Sequence, residues 1–212
     1  MNLALIGFGE LGRYIEDALD EHHQVDKAKT AYFDDNLHRS GAPNAFPFRQ
    51  YASGAFSDHH FYVCLGYKHL ETRNEVISEL AALGRKVPKF VHPDAYVHRS
   101  AKIGAGAFVY SGCTVDRNSI IGQGACLING AVVAHDCAVG ACCWLSPGVT
   151  LSGNVTIGHN TFFGSGSAVS NNVRIGSDVI VGLATAVTKD IGDGQSAIGN
   201  PMRILRRPLA LI

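Results

Sequence analysis

A step of six residues, taken from Val91 to Val187, lands on an apolar side chain seventeen times in succession. The series opens Val91, Val97, Ile103, Val109, Val115, Ile121, Leu127 and Val133, and continues in step through Phe163 and Val181. Four residues after each member the side chain is usually small or β-branched, as at Ala95, Ala107, Cys113, Ser119, Cys137, Cys143, Val155 and Thr185. Such a hexapeptide repeat is the signature of a parallel β-helix. Each hexad makes one short strand and one corner, and three hexads close a triangular coil around the apolar residues. The dipeptides Ile103-Gly104, Ile121-Gly122, Val139-Gly140, Ile157-Gly158 and Ile175-Gly176 recur every eighteen residues and fix three hexads per coil. A tight corner that needs permissive backbone accounts for the glycine. Residues 89–212 are therefore expected to form a left-handed parallel β-helix with a C-terminal tail. It should have a little over five coils, stand roughly 25 Å tall at the usual strand spacing, and carry no loop interrupting its hexads.

Residues 1–88 lack the repeat and alternate strand-like with helix-like patterns. Strands are expected at Leu3–Ile6, Thr30–Phe33 and Phe61–Leu65, with helices at Leu11–Leu19 and Leu70–Leu83, the second ending at Gly84. This is a small α/β unit, a Rossmann-like half-domain with a mostly parallel sheet. Its first turn, Gly7-Phe8-Gly9-Glu10-Leu11-Gly12, fits G-x-G-x-x-G, where amides at a helix start can receive a phosphate. Asp34 and Asp35 follow the second strand, where a dinucleotide enzyme binds a ribose hydroxyl. Fewer than ninety residues hold only half of such a fold, so a nucleotide-sugar fits better than NAD. The alternative is a structural turn that needs Gly7, Gly9 and Gly12 for packing alone.

Eighteen lysines and arginines balance eighteen aspartates and glutamates, which leaves no basic face for nucleic acid or an anionic membrane. No stretch reaches the ~18 apolar residues of a membrane span, and no basic leader precedes the first apolar run, so a cytoplasmic location is expected. Of the six cysteines, Cys113, Cys137 and Cys143 fall on the small inward positions and read as core filler rather than metal or redox groups.

The most distinctive segment is Ile128-Asn129-Gly130-Ala131-Val132-Val133-Ala134-His135-Asp136-Cys137, followed by Ser146-Pro147, Leu151-Ser152-Gly153-Asn154 and Gly199-Asn200-Pro201. A small α/β domain followed by an uninterrupted β-helix with these segments resembles the bacterial sugar acyltransferases, which include sialic acid O-acetyltransferases and UDP-4-amino-sugar N-acetyltransferases. The resemblance implies a homotrimer with acetyl-CoA lying between neighbouring β-helices. It further implies His135 as general base, Asp136 as the acid beside it, Asn129 as a polar residue near the site, Asn200 and Pro201 along coenzyme A, and Asp34 and Asp35 near the nucleotide. Two places depart from the pattern. Glu10-Leu11 stands where the amino-sugar enzymes carry a substrate-contacting histidine, and Trp144 stands where some relatives carry a second histidine. The segment Gly66–Arg73 resembles a turn of a less characterised branch; its Lys68, His69 and Arg73 suit either an anionic substrate or a solvated helix start.

Acyl transfer from a thioester needs a base for the nucleophile, a donor for the oxyanion and a groove for the pantetheine arm. His135 sits two residues past the inward Val133, on an outward-facing corner, and an imidazole of ordinary pKa about 6.5 is largely neutral at pH 7. Adjacent residues rarely face each other, so a carbonyl competes with Asp136 as the group that orients the ring. Gly153 lies eighteen residues on and stacks directly above His135, with its N–H expected to point at the thioester oxygen. Asn171 stacks one coil higher, and Gly164, Gly182 and Ala184 lie along the expected pantetheine path. A zinc hydratase on the same fold needs stacked histidines, but the residues eighteen before and after His135 are Arg117 and Gly153. The reading is an acetyl-CoA-dependent N-acetyltransferase acting on a nucleotide-linked amino sugar. The alternatives are an O-acetyltransferase and a non-catalytic scaffold.

Overall fold

The structure, a computed structural model, describes residues 2–23, 25, 27–206 and 209. The chain divides into two compact units, Met1–Pro88 and Lys89–Ile212. The first holds a four-stranded, fully parallel sheet in the order β3-β2-β1-β4, formed by β1 (Leu3–Ile6), β2 (Ala31–Phe33), β3 (Ala45–Phe46) and β4 (His60–Val63). All four β1 side chains are buried, as in a strand covered on both faces. Helix α1 (Glu10–His23) turns Ile15, Ala18 and Leu19 inward at helical spacing.

Besides four short 3-10 turns among the described residues, the short helix α2 (Asp35–Arg39) and the edge strand β3 were not expected from the sequence. Asp34 joins the two: its Oδ1 caps α2 by accepting from the N–H groups of Asn36 and Leu37, and its own N–H donates to Phe46 O of β3 at 3.1 Å. Helix α3 (Leu70–Ala82) buries Leu70, Arg73, Val76, Ile77 and Leu80. Arg73 is thus no surface anion ligand. It is wholly buried, and its guanidinium donates to the carbonyls of Val63 and Leu65 at the end of β4. The helical period turns that position toward the sheet, and the strand-end carbonyls satisfy the charge.

The second unit is a parallel β-solenoid of about six turns, matching a left-handed β-helix. Two-residue strands recur every six residues and stack in three sheets with a register of eighteen. Val132-Val133, for example, pairs with Thr114-Val115 on one side and Thr150-Leu151 on the other. Of the seventeen repeat positions, Val91, Val97 and Ile103 are half-buried and all those from Val109 to Val187 are buried. The small inward positions also hydrogen-bond. Ser119 Oγ donates to Ala134 O at 2.7 Å, Thr161 Oγ1 to Gly176 O at 2.9 Å and Cys143 Sγ to Gly158 O at 2.9 Å. All six cysteines are buried thiols outside any disulfide, and burial pushes the Cys143 thiol up to about 12, so it carries no thiolate at neutral pH.

Every hexad from Gly106 to Ala184 places one residue at positive φ, three past the inward apolar side chain. Glycine, asparagine and aspartate fill most of these places, with Cys142 and Ala184 as exceptions. The eighteen-residue glycines have another cause than the one expected. Gly104, Gly122, Gly140 and Gly158 are not at positive φ; a Cβ added at Gly140 would lie 2.5 Å from the Gly158 backbone. They are glycine because the next coil passes too close.

The hexads break after Val187. Ile175 bridges to Ile191 and Ile180 pairs with Ser196, so the last coil advances sixteen residues instead of eighteen. The chain then reverses past a cis Asn200–Pro201 bond into the antiparallel strand Arg203–Ile204. The two classes of glycine predict different costs. Gly140→Ala should destabilise by about 3 kcal/mol or more through backbone overlap, whereas Gly130→Ala, at φ +70 with open space around it, should cost about 1–2 kcal/mol. Urea unfolding of the two variants checks the order.

Candidate active site

The corner that follows Val133 presents Ala134, His135, Asp136 and Cys137. Asp136 lies at φ +58, and this left-handed step folds its carboxylate back onto its neighbour. His135 Nδ1 and Asp136 Oδ2 are 2.8 Å apart. Sequence spacing left Asp136 and a carbonyl as alternative partners; the left-handed corner is what lets adjacent side chains meet. Asn118, one coil below, donates from Nδ2 to Asp136 Oδ1 at 3.0 Å, and the Arg117 guanidinium stands 3.8 Å from Oδ2. The Asn118 and His135 hydrogen bonds, with the Arg117 charge behind them, hold the Asp136 carboxyl below its ordinary 3.8. An ionised carboxylate only accepts, so His135 Nδ1 is the donor of this bond, and in the neutral imidazole the lone pair lies on Nε2. The backbone fixes the corner on both sides, through Asp136 N–H to Arg117 O at 3.0 Å and Asn154 N–H to His135 O at 3.1 Å.

Gly153 stacks over His135 as the eighteen-residue register requires, and the structure shows what its N–H and its α-carbon meet. Its N–H is not open; it donates to Asn171 Oδ1 at 2.9 Å. What the glycine provides is room for the ring: a Cβ there would lie 2.6 Å from His135 Cε1 and 2.7 Å from Nε2. Asn118 was missed as a site residue, and Asn171 was named only for its stacking. Each stands eighteen residues from a member of the site, Asn118 from Asp136 and Asn171 from Gly153, so the stacking arithmetic carried the signal.

The other expected site residues occupy different places. Asn129, Gly164, Gly182, Ala184, Asn200 and Pro201 follow strands of the sheet that contains Trp144-Leu145, on the neighbouring corner of the triangle and not beside His135. On that corner Leu183 is 76% exposed, the most exposed large apolar side chain among the described residues. In the first unit, Gly7 lies at φ +81, and Gly12 lets α1 approach the turn, since a Cβ there would meet Gly7 O at 2.7 Å. Gly9 faces open space.

Asp34 is committed to the fold. Besides capping α2, its Oδ2 accepts from Phe8 N–H at 3.0 Å, inside the glycine turn. Partial burial pushes its carboxyl up, but the Phe8, Leu37 and Asn36 N–H groups outweigh that and hold it below the usual carboxylate value. Asp35 Oδ1 accepts from Phe48 N–H at 2.9 Å. Lys68 and His69 are exposed at the start of α3. Among the described residues no group of three His, Cys, Asp or Glu side chains is arranged to hold a metal ion. None of the described helices is long and apolar enough to cross a membrane.

No protein-family model and no curated protein matches the chain. Solved structures do match, over nearly its whole length. PerB from Caulobacter crescentus, in complex with CoA and GDP-perosamine, is 28% identical with a TM-score of 0.84, over 97% of both chains. The acetyltransferase domain of PglB from Neisseria gonorrhoeae, in complex with acetyl coenzyme A, is 30% identical with a TM-score of 0.82, over 96% of this chain and 98% of the other. WeeI from Acinetobacter baumannii, at 23% identity and a TM-score of 0.84, shares the fold. With the hexad solenoid, the His135–Asp136 corner and this end-to-end similarity taken together, the chain belongs to the bacterial hexapeptide-repeat sugar acyltransferases.

Proposed function

We propose that this protein transfers the acetyl group of acetyl-CoA to the amino group of a nucleotide-linked sugar, with His135 as the general base. The observation that carries this reading is the His135–Asp136 pair, set against Gly153 in a chain whose structural neighbours hold CoA with GDP-perosamine or acetyl coenzyme A. An amine attacks a thioester only as its proton leaves, and Nε2, unprotonated because Nδ1 holds the proton, is the acceptor. Asp136 keeps the ring in that tautomer and stabilises the imidazolium as it forms. Gly153 keeps the space above the ring clear.

A homotrimer is the assembly that the placement of the residues supports. A single β-helix displays His135, Gly153 and Asn171 on one corner and Gly164, Gly182, Ala184, Asn200 and Pro201 on the next. Packing of neighbouring β-helices brings the two sets face to face, with acetyl-CoA between them. The exposed Leu183 beside Gly182 and the small side chains of that corner suit a pantetheine arm. For the first unit, a Rossmann-like half-domain that takes the nucleotide, the parallel sheet supports the reading, because its carboxyl edge gathers the glycine turn, Asp34 and Asp35. Since the Phe8 N–H is already held by Asp34, that turn has one fewer donor for a phosphate, and the acidic edge favours ribose and base donors instead.

Calorimetric titration with acetyl-CoA, followed by acetylation assays on UDP-, dTDP- and GDP-linked amino sugars, tests the proposal. Wild type should bind acetyl-CoA and acetylate one of them, and His135→Ala should lose about 10²–10⁴ in kcat/KM; a wild type that does not bind acetyl-CoA overturns the reading. Asp136→Asn should cost less than removal of the imidazole. Because the Asp136 carboxyl is lowered, its pairing is complete above the ordinary carboxylate range and is lost only as pH falls through its own lower value. The pH profile of kcat/KM should therefore show no step from Asp136 between pH 5 and 8. Gly153→Ala should leave the fold intact and reduce kcat by displacing the ring, which a His135 imidazole NMR shift would register.

A further inference from the structure

The orientation of the Asp136 carboxylate is set from the coil below. Asn118 stands eighteen residues before Asp136 and takes the same left-handed step, at φ +58 in both, so the two side chains leave their corners in the same direction and stack. Asn118 Nδ2 donates to Asp136 Oδ1 at 3.0 Å, which leaves Oδ2 as the oxygen that lies 2.8 Å from His135 Nδ1. Asn118 is itself held from beneath. Its backbone N–H donates to Ser100 Oγ at 2.9 Å, and Ser100 Oγ lies 2.8 Å from His98 Nδ1. The Asn118 hydrogen bond also comes first among the contacts that keep the Asp136 carboxyl below its ordinary value. The corner needs no amide to form, because glycine takes the same step in other hexads, at Gly124 and Gly130. What the carboxamide adds is a donor that glycine lacks.

We propose that Asn118 is a positioning residue of the acetyl transfer: by occupying Asp136 Oδ1 it fixes the carboxylate, and through it holds His135 in the tautomer whose Nε2 accepts a proton. The inference deepens the acetyl-transfer reading and rests on it. In this role Asn118 meets neither the substrate nor the imidazole and acts through Asp136. A carboxylate released from Asn118 is free to turn about its side-chain bonds and pairs with Nδ1 less of the time. The neutral ring then also takes the tautomer with its proton on Nε2, which has no lone pair there to accept another. Arg117, with its guanidinium 3.8 Å from Oδ2, supplies charge to the same carboxylate from outside hydrogen-bond distance and does not fix its plane.

Asn118→Gly keeps the left-handed step and deletes the donor. Asn160→Gly, at φ +53 on a corner away from His135, makes the same change as a control. Asn118→Gly should lose roughly 10-fold in kcat, as partners that orient a functional histidine do when removed, with acetyl-CoA affinity by calorimetry unchanged; Asn160→Gly should keep the wild-type kcat. In the free protein, the nitrogen NMR signals of His135 should move from the Nδ1–H pattern toward a mixture of tautomers in Asn118→Gly and stay in place in Asn160→Gly. Without the Asp136 carboxylate Asn118 has nothing to hold, so adding Asn118→Gly to Asp136→Gly should cost no further activity. Either a wild-type kcat or an unchanged His135 spectrum in Asn118→Gly overturns the proposal, and so does a loss that adds in full to that of Asp136→Gly. If wild type binds no acetyl-CoA and transfers no acetyl group, the acetyl-transfer reading falls and the catalytic role of Asn118 with it, whereas the spectra of the free protein still show whether Asn118 sets the His135 tautomer.

Discussion

The backbone ladder between coils, in strict eighteen-residue register, is the interaction on which the rest of the β-helix depends. Each strand contributes two residues to it, too few to hold a sheet by itself, and is stable because the same pairing repeats above and below. The close approach dictates side chains far from any strand. Where one coil passes under the next at van der Waals contact, only glycine fits, as at Gly140; where the chain turns left-handed, glycine, asparagine or aspartate is used. Small inward residues donate to a carbonyl of the neighbouring corner, and that links the core to the ladder.

The candidate catalytic pair is a by-product of that rule. Asp136 occupies a position whose backbone conformation already favours aspartate, and the same conformation delivers its carboxylate to His135. Stacking then supplies neighbours at fixed height: Asn118 and Arg117 below, Gly153 and Asn171 above. A solenoid therefore pre-organises a site without a pocket of its own, because every residue of a corner column is held at both ends by coils that cannot slide.

The first unit shows a different economy. A glycine turn at the end of β1 satisfies its Phe8 N–H with Asp34 from its own chain, which ties the turn to the end of the next strand. Arg73 is a parallel case. It reads as a surface cation in the sequence and is in fact a buried donor to strand-end carbonyls. In both, charged side chains close the carboxyl edge of the sheet by satisfying backbone groups that strand pairing leaves over.

The sequence by itself determined the solenoid, its three-hexad coil, its apolar interior and the stacking of Gly153 on His135, because a fixed period translates directly into height and direction. It determined the main strands and two long helices of the first unit for the same reason of regular spacing. Only the tertiary structure decided how the polar groups share hydrogens. That Asp136 turns back to His135, that Asn171 covers the Gly153 N–H, that Asp34 enters the glycine turn and that the last coil is two residues short all depend on φ angles and inter-coil distances. Periodicity says where a residue stands along the helix. The hydrogen bonds depend on which way its side chain leaves the backbone, and that is set by contacts with coils eighteen residues away.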